Sequence, residues 1–342
     1  MCPGVIHIMD LDYGRVISVG CSILTQMIIG FIVVKTGLLK AEKIPMINRF
    51  CFLYMFFPLV LRFLAHQTVA DLDFMPFGIM AAASAIAQVL LTLLMVVPFK
   101  NRFLTYVSSY FPAIYVNYVI VGLPIFTSIW PKANILIVSM ITMSNDLVTA
   151  PVYLVEAAIV ALMNRNKIHV EKNEPKEKFS FKIILNILKG LVTSPIILGD
   201  ALGFIVAAIG KGVPTWVDRI ISIDADGVLG VALFCVGGFL ASHSIIACSW
   251  WKFIFCMFVK FILYPIIVAF VCWIFKLTPF LARCCTIMST LPTASSCYMM
   301  AEAAGFGAGV SSTMIFWSMV LFIPFIIAWS AVLDALNIFV SN

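Results

Sequence analysis

The stretch Asn117-Tyr118-Val119-Ile120-Val121-Gly122-Leu123-Pro124 puts a carboxamide seven residues ahead of a proline, inside an apolar segment (103–129) long enough to cross a bilayer. Pro124 has no N–H, and its ring opposes the carbonyl four residues back, so the helical ladder is expected to break there. Gly122 is expected to supply the dihedrals of the break, with Asn117 two turns away on the same helical face. In hydrocarbon such a break is tolerated only where protein or a wet cavity satisfies the freed backbone groups. Two readings follow: a small-solute site in which Asn117 hydrogen-bonds the ligand, or a proline kink with Asn117 bonded to a neighbouring helix.

A second such place is Leu291-Pro292, followed by Thr293, Ser295 and Ser296. Their hydroxyls can donate to a ligand, or simply bond backbone carbonyls one turn back. Ionisable groups within apolar segments cost roughly 2.5–3.5 kcal/mol or more, so each needs a reason. Asp146, beside Asn145, is the candidate for a titrating or ligand-orienting carboxylate, the rival role being structural capping or pairing. Asp200 and Lys260 are likewise embedded in apolar stretches, and Lys260 is expected to neutralise Asp146 or Asp200, either as a charge-coupling switch or as satisfied structure. Glu156 and Glu302 fall nearer segment ends and are expected to be solvated. Arg62 is expected to snorkel to an interface. The ten cysteines form no CxxC pair and there is no histidine cluster, so no disulfide framework, zinc site or other cofactor is suggested. Cys284-Cys285 is read as two small buried thiols. No nucleophile–base pair points to an enzyme, and no basic patch to nucleic acid.

The elements that must position these residues are set by composition. Of 342 residues 63% are hydrophobic and 11% charged, against roughly 25% charged in soluble domains, so the chain is a multi-pass membrane protein. Ten candidate spans follow: about 16–34, 45–65, 76–98, 103–129, 134–162, 183–210, 226–246, 252–275, 280–303 and 309–336. The first lacks a basic leader and cleavage site, and is expected to be a retained helix. Alternate connections carry fourteen Lys and Arg on one side, seven of them between Arg165 and Lys189, and seven on the other. The positive-inside bias therefore puts the 164–182 stretch, read as a linker, in the cytosol and both termini outside it.

The halves echo each other. Gly30-Phe31-Ile32-Val33 recurs as Gly203-Phe204-Ile205-Val206, offset 173; Phe63-Leu64-Ala65 as Phe239-Leu240-Ala241, offset 176; Leu123-Pro124 as Leu291-Pro292, offset 168; and Pro151 as Pro324, offset 173. An offset of half the chain implies five spans per repeat. An odd number inverts the second copy, an arrangement typical of secondary transporters. The expected fold is all-α: two inverted five-helix repeats (1–163 and 183–342) joined by the 164–182 linker, with spans four and nine broken and crossing near mid-membrane. The half-helices beyond the breaks would aim N–H groups at the crossing and favour an anion, so a small organic carboxylate is the default ligand.

At Asn117-x4-Gly122-x-Pro124, Leu229–Ala241, Lys260–Pro265, Leu291-Pro292 with Ala301-Glu302, and Ser311–Phe316, the chain resembles the auxin efflux carrier family, which includes the plant PIN-FORMED carriers. Pro151-x4-Glu156 and Lys211-Gly212-Val213-Pro214 are also similar to the transporter-like portion of the lysosomal cholesterol-sensing protein. The resemblance implies a scaffold of spans one, two, six and seven, usually dimeric, and a moving bundle of spans three to five and eight to ten. It departs in two places. Three residues after Pro58 the auxin carriers have serine where this chain has Leu61, and Asp200 replaces a neutral residue. The expectation is a secondary transporter of a small organic anion in the plasma membrane or an endomembrane, using Asn117, Gly122, Pro124, Asn145, Asp146, Pro292, Thr293 and Ser295 for the ligand, and Asp146, Asp200 and Lys260 for charge. The alternative is a lipid sensor, sterol being one such ligand, that keeps a carrier's architecture.

Overall fold

The computed structural model describes residues 13–65, 73–99, 101–171, 175, 180–210 and 212–339. Both termini, and most of the 172–179 part of the expected linker, lie outside the described residues, as does Lys211. The helices are α1 (Tyr13–Lys35), α2 (Ile44–Phe50), α3 (Phe56–Ala65), α4 (Met75–Leu91), α5 (Arg102–Ile114), α6 (Leu123–Ile129), α7 (Leu136–Ser144), α8 (Ala150–Glu171), α9 (Phe181–Val192), α10 (Pro195–Ile209), α11 (Thr215–Ala241), α12 (Trp250–Phe258), α13 (Tyr264–Ile274), α14 (Pro279–Ser289), α15 (Ser296–Ala304) and α16 (Ala308–Ala335). Among the described residues, seven continuous helical stretches are long and apolar enough to cross a membrane. An eighth is added if the pair Phe181–Gly190 and Pro195–Ile209, bent by 59°, is one span. The 103–129 and 280–303 segments are each in two short pieces.

Prolines shape the helices in a regular way. Four π-helical turns, Cys51–Met55, Tyr118–Gly122, Asn145–Thr149 and Val259–Leu263, end two or three residues before Pro58, Pro124, Pro151 and Pro265. A proline cannot donate to the ladder and crowds the carbonyl one turn back, and a wider turn absorbs that misfit. The carbonyl that Pro265 leaves without its usual partner, Phe261 O, accepts instead from the Trp329 indole at 2.8 Å.

Two corrections to the hydropathy reading concern helix ends. The seventh span starts eleven residues early, at Thr215, because Asp218, Asp224 and Asp226 lower the hydropathy of a stretch that is helical all the same. The expected linker is helical from 164 to Glu171, as the end of α8. Arg62 does not merely snorkel: its guanidinium meets Asp226 at 2.6 Å, tying α3 to α11. Both side chains are substantially solvent-accessible, so the pair contributes at most about 1 kcal/mol.

A large apolar core runs through the molecule, with a smaller cluster at Leu61, Ala65 and Ile221. α1 packs along α11, and α10 along α3. The α1–α11 approach is so close that a Cβ on Gly30 would strike the Phe234 carbonyl and one on Gly237 the Met27 carbonyl. Gly237→Val is therefore expected to force these helices apart and lower stability by about 3 kcal/mol or more. Gly78→Ala, with nothing within 4 Å of the added carbon, should be neutral or stabilising by about 0.5–1 kcal/mol. Thermal denaturation of both variants in detergent, followed by size-exclusion fluorescence, checks the pair.

Candidate functional site

α5 ends at Ile114, and Tyr115–Asn117 run extended before the chain turns helical again at Tyr118. α14 ends at Ser289, and the chain is non-helical through Pro292–Ala294 before α15. The two interruptions meet. Val116 and Thr293 face each other as an isolated antiparallel bridge, flanked by Asn117 N to Pro292 O at 2.8 Å and Ala294 N to Tyr115 O at 3.1 Å. The surrounding side chains complete the hydrogen bonding. Asn145 Nδ2 donates to Val116 O (2.7 Å), Thr293 Oγ1 to Pro112 O (2.7 Å), and the Thr293 amide to Ser318 Oγ (2.9 Å). Each helix break thus satisfies the other, as a backbone buried in an apolar interior requires.

The break lies one to two turns before the residues expected to make it. Gly122 has ordinary helical dihedrals (φ −66°, ψ −42°) and Pro124 is in the first turn of α6, where a proline starts a helix rather than ending one. What Gly122 provides is proximity: a Cβ there would lie 2.9 Å from Leu291 and Met288 on the other broken segment. Asn117 is not on a continuous helical face with Pro124. It is the N-cap of the new helix, its Oδ1 accepting from Ile120 N at 3.1 Å. Its Nδ2 is buried with no hydrogen-bond partner among the described residues.

A cavity of about 830 Å³ lies against the crossing. Asn117, Asn145, Asp146, Ser295 and Ser296 are in its wall, as are Thr142, Tyr115, Phe52, Leu53 and Phe56. It extends along Leu154 and Ala158 of α8 and Ile183, Asn186 and Gly190 of α9, the helices that lead to the 164–182 connection. Ile125, Phe126, Met288 and Leu291, on the two interrupted segments, are fully buried and do not line it. The structure therefore brings Asn117, Asn145, Asp146 and Ser295 together. Gly122, Pro124, Pro292 and Thr293 shape the crossing without lining the cavity; the Thr293 hydroxyl is occupied by Pro112 O.

The charged candidates are separated. Asp146 accepts from the Tyr115 hydroxyl at 3.4 Å through Oδ1, and its Oδ2 has no partner among the described residues. Asp200, on α10, borders a small adjacent pocket with Ser139 and Thr142. Lys260 is fully buried in a π turn and does not line the cavity, and its Nζ has no hydrogen-bond partner among the described residues. The expected neutralisation of Asp146 or Asp200 by Lys260 is thus not formed in this conformation. Glu156 is not solvated as expected: it is only partly exposed, and takes hydrogen bonds from Tyr110 and Tyr106, the latter at 3.5 Å. Sequence reasoning overlooked Tyr115 and Ser318. Tyr115, two residues before Asn117 and three after Pro112, was readable as the end of a helix; Ser318 carried no local signal.

A family model described as membrane transport protein matches residues 21–330. Over 160 residues the chain is 28% identical to auxin efflux carrier component 8 of Arabidopsis thaliana, a match that covers 45% of this chain and 44% of that protein's length.

Because Asn117 has two separable jobs, two substitutions should part them. Asn117→Ser keeps an N-cap acceptor and should stay within about 0.5 kcal/mol of the parent, whereas Asn117→Ala should lose about 1 kcal/mol. Thermal midpoints of the purified variants without added ligand test this.

Proposed function

The chain belongs to the auxin efflux carrier family of membrane transport proteins, and on that premise we propose that it is a secondary transporter moving a small organic anion by alternating access. The observation that carries this reading is the pair of interrupted segments, bonded to each other through Val116 and Thr293, at the wall of a cavity that reaches α8 and α9, the helices leading to the 164–182 connection. A ligand there meets the N-terminal ends of the helix Tyr118–Ile129 and of α15, whose amides favour negative charge, together with the unpartnered Asn117 Nδ2.

In this reading the two interrupted segments are full crossings. With the seven long helices and the bent pair they make ten, as two inverted repeats spanning 1–163 and 183–342. Support comes from the matched glycines: Gly30 lies against α11 while Gly203 lies against Leu64 of α3, as a two-fold relation between halves requires. α1, α2–α3, α10 and α11 form the scaffold, through which two copies pair as a homodimer, and the remaining helices form the moving bundle. The positive-inside bias places the 164–182 connection in the cytosol and both termini on the far side, so this conformation faces inward, in a plasma membrane or an endomembrane. Rocking of the bundle on the scaffold would close this side and open the other. Asp146, Asp200 and Lys260 then act as groups whose charge changes between the two states. The sterol-sensing alternative gains no support from the family relationships.

Uptake of labelled carboxylates into proteoliposomes is the direct test. The parent protein should show saturable flux, and Asn117→Ala should reduce kcat/KM about tenfold, as expected when one buried donor to a charged group is lost. Absence of flux for every carboxylate tried, amino acids included, in a preparation that remains monodisperse, would rule out the carrier reading.

A further inference from the structure

The cavity wall holds more than a carboxylate can use. Asn145 and Asp146 are adjacent in the π turn Asn145–Thr149, and both line the cavity. Asn145 commits its Nδ2 to Val116 O, which leaves Oδ1 as a buried acceptor without a partner. Asp146 Oδ2 is likewise a buried acceptor without a partner, while Oδ1 has only the long contact to Tyr115. A carboxylate ligand offers acceptors only, so it would leave both oxygens unsatisfied and would be repelled by Asp146. No protein cation offsets that charge: among the described residues no Lys, Arg or His lines the cavity. A buried carboxylate is tolerated when a hydrogen-bonded cation accompanies it.

Resting on the carrier reading of this cavity, we infer that the transported molecule is a zwitterion: a carboxylate at Asn117 Nδ2 and a protonated primary amine at Asp146 Oδ2 and Asn145 Oδ1. An ammonium has three N–H donors, enough for both orphan oxygens. Donor and acceptors are close along the chain path, because Asn145 is bonded to Val116 and Val116 precedes Asn117. An α-amino acid, with its two charged groups on the same carbon, is the smallest ligand that offers both. Phe52, Leu53 and Phe56, which also line the cavity, suit an apolar side chain on that molecule.

The test uses the whole chain, purified and in proteoliposomes, with a panel of apolar α-amino acids, the matching desamino carboxylic acids and the N-trimethylated amino acids. Phenylalanine, 3-phenylpropionate and trimethyl-phenylalanine are one such set. Binding is read from concentration-dependent thermal stabilisation. At least one amino acid should bind about tenfold or more tightly than its desamino partner, the scale of a desolvated charge pair, and trimethylation, which removes every N–H, should abolish the gain. Asp146→Asn should bring amino acid and desamino acid to within a few-fold of each other. Desamino acids that bind as tightly as, or more tightly than, every amino acid in the parent protein would overturn the inference; Asp146 would then meet its ligand as a neutral acid. Should Asp146→Asn fail to fold, the ligand series on the parent protein decides alone. Flux separates this from the carrier reading: amine-dependent binding without uptake sinks transport and leaves the amine assignment, while uptake of plain carboxylates with no preference for the amine does the reverse.

Discussion

An unpaired N–H or C=O in an apolar interior costs several kcal/mol, and this chain interrupts two helices there. The bridge between Val116 and Thr293 resolves the conflict by letting each interruption supply the partners the other lacks. The bridge is short, so the remaining groups recruit side chains from three directions: Asn145 on the π turn after α7, Thr293 itself reaching back to Pro112, and Ser318 on α16. None of these partners is local in sequence to the group it satisfies. Removing any one leaves a buried polar atom exposed to that full cost, which ties the geometry of the cavity wall to helices far apart in the chain.

The π turns extend the same logic to side chains. Each precedes a proline and relieves the crowding that proline causes, but it also shifts the phase of the helix. The turn Asn145–Thr149 carries Asn145 and Asp146, both in the cavity wall. The turn Val259–Leu263 carries Lys260, in a fully enclosed place. Structural accommodation of proline and display of functional groups are therefore one feature here.

The two packing regimes in the molecule differ accordingly. α1 and α11 approach until a Cβ at Gly30 or Gly237 would strike the other helix's backbone. The helices around the crossing are instead separated by a large cavity and hold several polar atoms without protein partners, among them Asn117 Nδ2, Asp146 Oδ2 and Lys260 Nζ. Such atoms are stabilised by ligand, proton or a changed arrangement of neighbours. A rigid pair beside a group of helices with unmet hydrogen bonds is the arrangement expected where one part moves against the other.

Composition alone settled that the chain is a helical, multi-pass membrane protein, because 63% apolar residues cannot be covered by a soluble fold. The pairing of Leu123-Pro124 with Leu291-Pro292 marked where helices would be interrupted, and proline chemistry explains why that signal is local. It misplaced the first break, since a proline early in a helix is compatible with the turn it starts, so the extended residues fall before it at Tyr115–Asn117. Charge misled in the same way: acidic residues hid the first turns of α11, though an exposed helical face tolerates them. Sequence could name Asn117, Asn145, Asp146, Ser295 and Lys260 as residues needing a reason. Only the tertiary structure decided that the first four share a cavity while Lys260 stands apart, that Thr293 is consumed by Pro112, and that Ser318 closes the crossing. Those outcomes depend on which helices pack together, and hydrogen bonds between residues 25 to 181 positions apart leave no periodicity for the chain to display.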